Sequence, residues 1–289
     1  MKKVGFAMDS NLRSLSSYGT QIVLSLAEDG RRELDRSEII ARLGISKDSA
    51  DKVIRSLRRK GWLERASRGR YLLIPPDQGP EVIGESNLLA LASRIAEPYY
   101  FAYGTAAAHY GLTTQVRNVV WIATTRSGYR QRELLGASIR FVHLTPRKFF
   151  GYESVSVFGY PVLMSDREKT IIDCVDRINL AGKASEVRRM IAAAARRIDW
   201  EKILRYLEQI GSVSLMQRFG FLAATTEAGI PPDARARLKQ RLHPSTRSIL
   251  GPAKKPARAI GYDRDWQLMV HLTPQDLGGE VALDPKPAA

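Results

Sequence analysis

A few places in the sequence bring together side chains that could do chemistry. Gly104 and Thr105 follow the aromatic run Tyr99-Tyr100-Phe101-Ala102-Tyr103, and a Gly-Thr after a strand can open a phosphate-binding helix. Nucleotidyl transfer there would need paired carboxylates on the following strand to hold two metal ions. That strand, Val119 to Thr125, contains no acid, so the catalytic reading fails. Asp173 and Asp176 stand three apart, as a catalytic dyad could, but Lys169 and Arg177 flank them and surface ion pairing is the expected role. His109 has no Ser, Cys or carboxylate partner that the sequence identifies, and a buried, hydrogen-bonded structural histidine is expected. With 4 His and 1 Cys, scattered along the chain, no metal-ligand spacing can be assembled. No catalytic residue, metal or cofactor is therefore expected.

What remains is charge. The 289 residues hold 45 Lys plus Arg against 30 Asp plus Glu, a net charge of +15. Three segments carry more than that total: residues 46–74 (+6), 117–148 (+6) and 233–258 (+7), on a background of −4. Cations gathered this way point to an anionic partner, with nucleic acid first. No apolar run approaches the roughly 18 residues of a membrane-spanning helix. The apolar stretch after Lys2 and Lys3 is broken, so a secretory signal is not expected. The lone Cys174 suits a reducing cytoplasm.

The first basic segment can be given a geometry. Leu15, Tyr18, Ile22, Val23, Leu26 and Ala27 recur at helical spacing up to Asp29-Gly30. Asp35 or Ser37 can cap a short second helix with Ile39, Ile40 and Leu43 on one face, and Gly44 ends it. Ser46 caps a third, whose Ala50, Val53, Ile54 and Leu57 must face a core. The opposite face then carries Lys47, Ser49, Lys52, Arg55 and Arg59. Trp62–Arg65 and Arg70–Ile74 read as strands around a Gly-containing turn, a basic wing bearing Arg65, Ser67, Arg68 and Arg70. Over residues 1–75 the chain resembles the winged helix-turn-helix DNA-binding domains. Lys47, Ser49 and Lys52 would reach base edges in the major groove, Arg55 and Arg59 phosphates, and the wing arginines the backbone or minor groove.

Pro75 to Pro80 is a turn-rich break, so a linker is expected over 76–85 and a second domain over 86–289. The second domain mixes sheet and helices. A helix over 87–95 precedes the aromatic strand, Thr105 caps a helix running to Tyr110, and strands follow at 119–125, 139–144, 154–158 and 161–164. Asp166, Ser185 and Asp199 each cap a helix, and a fourth runs over 214–227 with Gly220 placed for close helix contact. Residues 235–258 read as an exposed helix followed by an extended segment, and Trp266–Val270 as a last strand. The expected class is thus α+β: a winged helix-turn-helix followed by a mixed sheet-plus-helices domain. Arg117, Arg126, Arg130, Arg132, Arg147, Lys148, Arg188 and Arg189 form a possible additional basic surface.

The order of these pieces is distinctive: the winged helix, then Tyr-Gly-Thr-Ala-Ala-Ala-His-Tyr-Gly-Leu-Thr (103–113), Asp-Arg-Glu-Lys-Thr-Ile-Ile-Asp-Cys (166–174) and Gln-Arg-Phe-Gly-Phe-Leu (217–222). From about residue 10 to 270 the chain resembles the AbiEi-type antitoxin family. The resemblance implies a bacterial type IV antitoxin that is also a transcriptional autorepressor and not an enzyme. Its N-terminal domain would bind inverted repeats in double-stranded DNA, as a monomer in solution that binds cooperatively on the operator. Its C-terminal domain would counteract a nucleotidyltransferase toxin. A ligand-responsive regulator with a metabolite-binding C-terminal domain is the alternative.

Overall fold

The structure, a computed structural model, describes residues 14–67, 69–74, 83–115, 118–157, 160–243 and 248–279; of 66, 67 and 83–87 it describes the backbone alone. It is α+β and divides into two compact units. The first runs to Ile95 and takes in Leu134–Gly136 and Val157–Tyr160; the second holds the rest.

The first unit is built from α1 (Ser17–Glu28), β1 (Glu33–Asp35), α2 (Arg36–Leu43), α3 (Lys47–Arg59), β2 (Leu63–Ser67), β3 (Arg70–Leu73) and α4 (Ile83–Ala92). Each helix start has the expected chemistry: the Ser16, Asp35 and Ser46 side chains accept from backbone amides three residues on. Gly44 ends α2 at φ 61°, a left-handed conformation that a Cβ would disfavour, and so lets α3 leave at an angle. Ile22, Leu26, Ile39, Ala50, Ile54 and Leu57 meet Trp62, Leu63 and Leu73 in one core. The sheet order is β1-β3-β2, antiparallel throughout. The three-residue β1 has no signature in the sequence; it forms because β3 offers Leu34 a buried partner in Tyr71. The expected linker lies outside the described residues over 76–82, and residues 83–85 are helical.

The strands that follow α4 are β4 (Tyr100–Phe101), β5 (Val119–Thr124), β6 (Arg132–Leu134), β7 (Ala137–His143), β8 (Tyr152–Val157) and β9 (Tyr160–Ser165). They form a six-stranded mixed sheet in the order β6-β7-β5-β4-β9-β8. The β5–β7 and β4–β9 pairs are parallel and β4–β5 antiparallel. Helices α5 (Tyr103–His109), α6 (Arg167–Asp176), α7 (Ile178–Ala181), α8 (Ala184–Ala194), α9 (Trp200–Ile210), α10 (Val213–Ala224) and α11 (Pro232–Gln240) follow the chain, with a small sheet β10-β12-β11 of Ser248–Leu250, Leu268–Val270 and Gly261–Asp263. Ile171, Val175, Val187, Ile191, Leu204, Leu207, Phe219 and Leu222 are the centre of the second unit's core.

Several expectations are corrected here. Thr105 does not cap α5, which starts at Tyr103. Instead its Oγ1 accepts the Trp121 amide at 2.8 Å, and a Cβ on Gly104 would stand 3.2 Å from the Leu180 carbonyl. The Gly-Thr pair thus fastens α5 to β5 and α7. His109 is exposed, because Tyr103, Ala106 and Ala107 take the inward face of α5; its ring stands edge-on to Tyr110. The N-cap position of α8 is Lys183 rather than Ser185, and no side chain caps it. Gly220 makes room for an indole and not for a helix: a Cβ there would lie 2.0 Å from the Trp266 ring.

The largest correction concerns Lys169 and Asp173. Neither is at the surface, since α6 is enclosed and every residue from Glu168 to Val175 is buried. Lys169 Nζ lies 2.5 Å from Asp173 Oδ1 and donates to Tyr100 Oη at 3.0 Å, above the Phe150 ring. Burial pushes the Asp173 carboxyl up, against the opposing pull of the Lys169 ammonium. The neighbouring acids are also internal: Asp166 caps α6 and accepts from Tyr206, while Glu168 and Asp166 share Lys202.

Candidate nucleic-acid interface

Helix α3 separates its chemistry by face. Ala50, Val53, Ile54 and Leu57 are buried, which turns Lys52, Arg55 and Arg59 outward along one row that begins with Asp48. Lys47, Lys52, Arg55 and Arg59 are exposed, and among the described residues no ion pair engages them. Arg55 Nε reaches only the Asp51 carbonyl one turn back, at 3.3 Å. The Asp51 carboxylate, which would weaken the row, is held by Arg36 of α2 at 2.7 Å. On the far side of α2, Glu38 takes both Arg31 and Arg42, and Asp29 also takes Arg42. Charges behind α3 are therefore matched in pairs, and the unmatched positive charge lies on its outer face.

Ser49 is half-buried and tied to the cap: its amide donates to Ser46 Oγ at 3.3 Å and its hydroxyl accepts from it at 3.0 Å. The wing strands end at Gly69, whose φ of 83° makes the turn. Arg65 and Arg70 are exposed. Arg70 pairs in register with Asp35 and lies in its field. The Asp35 carboxyl is held below its usual range first by the Ser37 hydroxyl and the Glu38 amide, with Arg70 adding to this. Arg68 lies outside the described residues, and Ser67 is described by its backbone alone. Arg58, which the sequence reading left out, is also exposed and acts on Glu64, whose carboxyl burial otherwise raises. Its adjacency to Arg59 was the available signal.

The additional basic residues of the second unit do not behave as one surface. Arg126 and Arg130 are exposed, and Arg132 lies over the Phe141 ring. Arg147 donates to the Gln209 carbonyl near the end of α9, and Lys148 pairs with Asp176. Arg188 is fixed by the carbonyls of Thr225 and Leu277, and Arg189 by Glu186. Arg117 lies outside the described residues. The first half of the third segment is matched as well: Arg235 and Lys239 meet Asp265, Arg237 meets Glu201 and Arg241 meets Glu208, whereas Lys254, Lys255 and Arg258 beyond it are exposed.

A helix-turn-helix, an unmatched cationic helix face and a basic wing together form a surface suited to duplex DNA. Residues 21–74 match the family model described as "Transcriptional regulator, AbiEi antitoxin". The AbiEi match begins inside α1 and ends just after β3, so it covers the helix-turn-helix and wing. A comparison with curated proteins found no match. Among solved structures, the crystal structure of the RV2827C protein from Mycobacterium tuberculosis is similar at a TM-score of 0.63 and 20% identity, over 92% of this chain and 95% of that one. That likeness shows a shared fold across both units. Among the described residues no helix is long and apolar enough to cross a membrane, and no group of His, Cys, Asp or Glu could hold a metal ion.

Proposed function

We propose that the chain is a sequence-specific double-stranded DNA-binding antitoxin and transcriptional autorepressor of a bacterial toxin–antitoxin operon, acting in the cytoplasm. The observation that carries this reading is the outer face of α3. Its cations are exposed and unmatched, whereas those behind it are paired. Helix α3 lies in the major groove with Lys47 and Lys52 toward base edges and Arg55 and Arg59 toward phosphates, while Arg65, Arg68 and Arg70 place the wing on the backbone. The AbiEi match over the same residues supports an antitoxin regulator. The second unit counteracts a nucleotidyltransferase toxin, and the protein is a monomer that binds its inverted repeats cooperatively.

Electrophoretic shifts on the protein's own upstream region test the first part. Saturable binding that scrambled DNA does not compete away is expected. If Arg55, Arg59, Arg65, Arg68 and Arg70 meet phosphates, the slope of log K against log salt is about −4.5. Equal affinity for scrambled DNA overturns sequence-specific repression. Co-expression with the adjacent open reading frame tests the second part, through rescue of growth.

A further inference from the structure

The second unit contains a cavity of about 450 Å³, within the range of small-molecule sites. Its walls differ in chemistry. Its lining holds the cations Arg177, Lys183 and Arg218 together with the apolar side chains of Ile249 and Leu272. The two acids of the lining have partners of their own, and Asp276 also lies in the field of Lys183. Asp176 takes Lys148 at 2.6 Å and Arg218 at 3.8 Å, while Asp276 accepts from the Thr273 amide and hydroxyl at 2.9 and 2.8 Å.

The cations are less fully used. Arg177 reaches the His143 carbonyl at 3.5 Å, and among the described residues no carboxylate pairs with Arg177 or Lys183. Arg218 gives Nε to the Ser214 carbonyl and Nη1 to that of Asp176, which leaves guanidinium donors over. The start of α8, which no side chain caps, opens beside them. Among the described residues Ile249 of the same lining is a large apolar side chain left 48% exposed. Among the described residues no aromatic side chain lines the cavity, which disfavours a stacked nucleotide base.

We infer that this cavity binds an aliphatic carboxylate of medium chain length. The head group lies among Arg177, Lys183 and Arg218, and the chain runs along Leu272 and covers Ile249. The site is separate from the DNA-binding reading, and its test uses no DNA.

The full chain is titrated by calorimetry with hexanoate, octanoate and decanoate, with acetate and 1-octanol as controls. Saturable binding is expected for at least one of the three carboxylates, with acetate and 1-octanol each about tenfold weaker or more. The Arg177→Gln, Lys183→Gln double variant is expected to lose about tenfold in carboxylate affinity while its response to 1-octanol stays the same. Ile249→Ser weakens the carboxylates and 1-octanol together. All three positions are exposed, and circular dichroism checks that the variants remain folded. Absence of saturable binding by all three carboxylates overturns the proposal. So does 1-octanol binding as tightly as octanoate, or an affinity that the double variant leaves unchanged.

Discussion

At Lys169 a single side chain determines whether a neighbour is tolerable. Asp173 is buried beside it, and removing the ammonium leaves a buried carboxylate with only the Tyr100 hydroxyl, at 3.4 Å, to meet it. Lys169→Met should lower stability by about 3 to 5 kcal/mol in urea unfolding, and adding Asp173→Leu should restore much of that. A double variant as unstable as the single one would show that the pair is not the cause. Asp35 makes the opposite kind of contribution, at the start of α2. Hydrogen bonds from Ser37 and the Glu38 amide lower its pKa in the folded state, so its stabilisation is present above the unfolded value and is lost as pH falls through the folded one. Asp35→Ala should cost about 1 kcal/mol near neutral pH. Asp35→Asn keeps the cap without the charge, so the gap between wild type and Asn variant should narrow below about pH 4 in a series of melts.

Among the elements, α3 and α10 show how a helix face sets its use. On α3 the buried row fixes which cations point out, and Arg55 lies in the middle of that outer row. Arg55→Ala should weaken binding to all DNA sequences alike and reduce the salt slope by about 1, whereas Lys52 substitutions should change sequence preference. Shift titrations at several salt concentrations separate the two. On α10, Gly220 is the floor on which Trp266 lies. Gly220→Ala should destabilise by about 1 to 3 kcal/mol through overpacking, and Trp266→Leu in the same chain should recover part of the loss. Thermal melting of both variants checks this. The sequence marked Gly220 as unusual inside a helix, but its partner is 46 residues away and no local pattern could name it.

For the whole molecule, the net charge of +15 is less informative than its distribution after folding. The helix α11 segment looks as basic as α3, yet Arg237 and Arg241 face Glu201 and Glu208. Neutralising both arginines should leave DNA affinity and salt slope unchanged, whereas neutralising Lys47 and Arg59 should reduce both. The winged helix was legible in the sequence because its signals are local: caps at Ser16, Asp35 and Ser46, a turn glycine at 44 and one apolar face per helix. The short strands β1, β6, β10 and β11 were not legible, since three residues leave too little periodicity and only their sheet partners create them. Sequence by itself also determined that the Gly104-Thr105 motif lacks the acids for phosphoryl chemistry. Only the tertiary structure decided that Lys169 and Asp173 are interior and that the cations of α11 are matched. Spacing along the chain fixes which residues share a face, but burial and ion pairing depend on what packs against that face, and those partners lie far away in sequence.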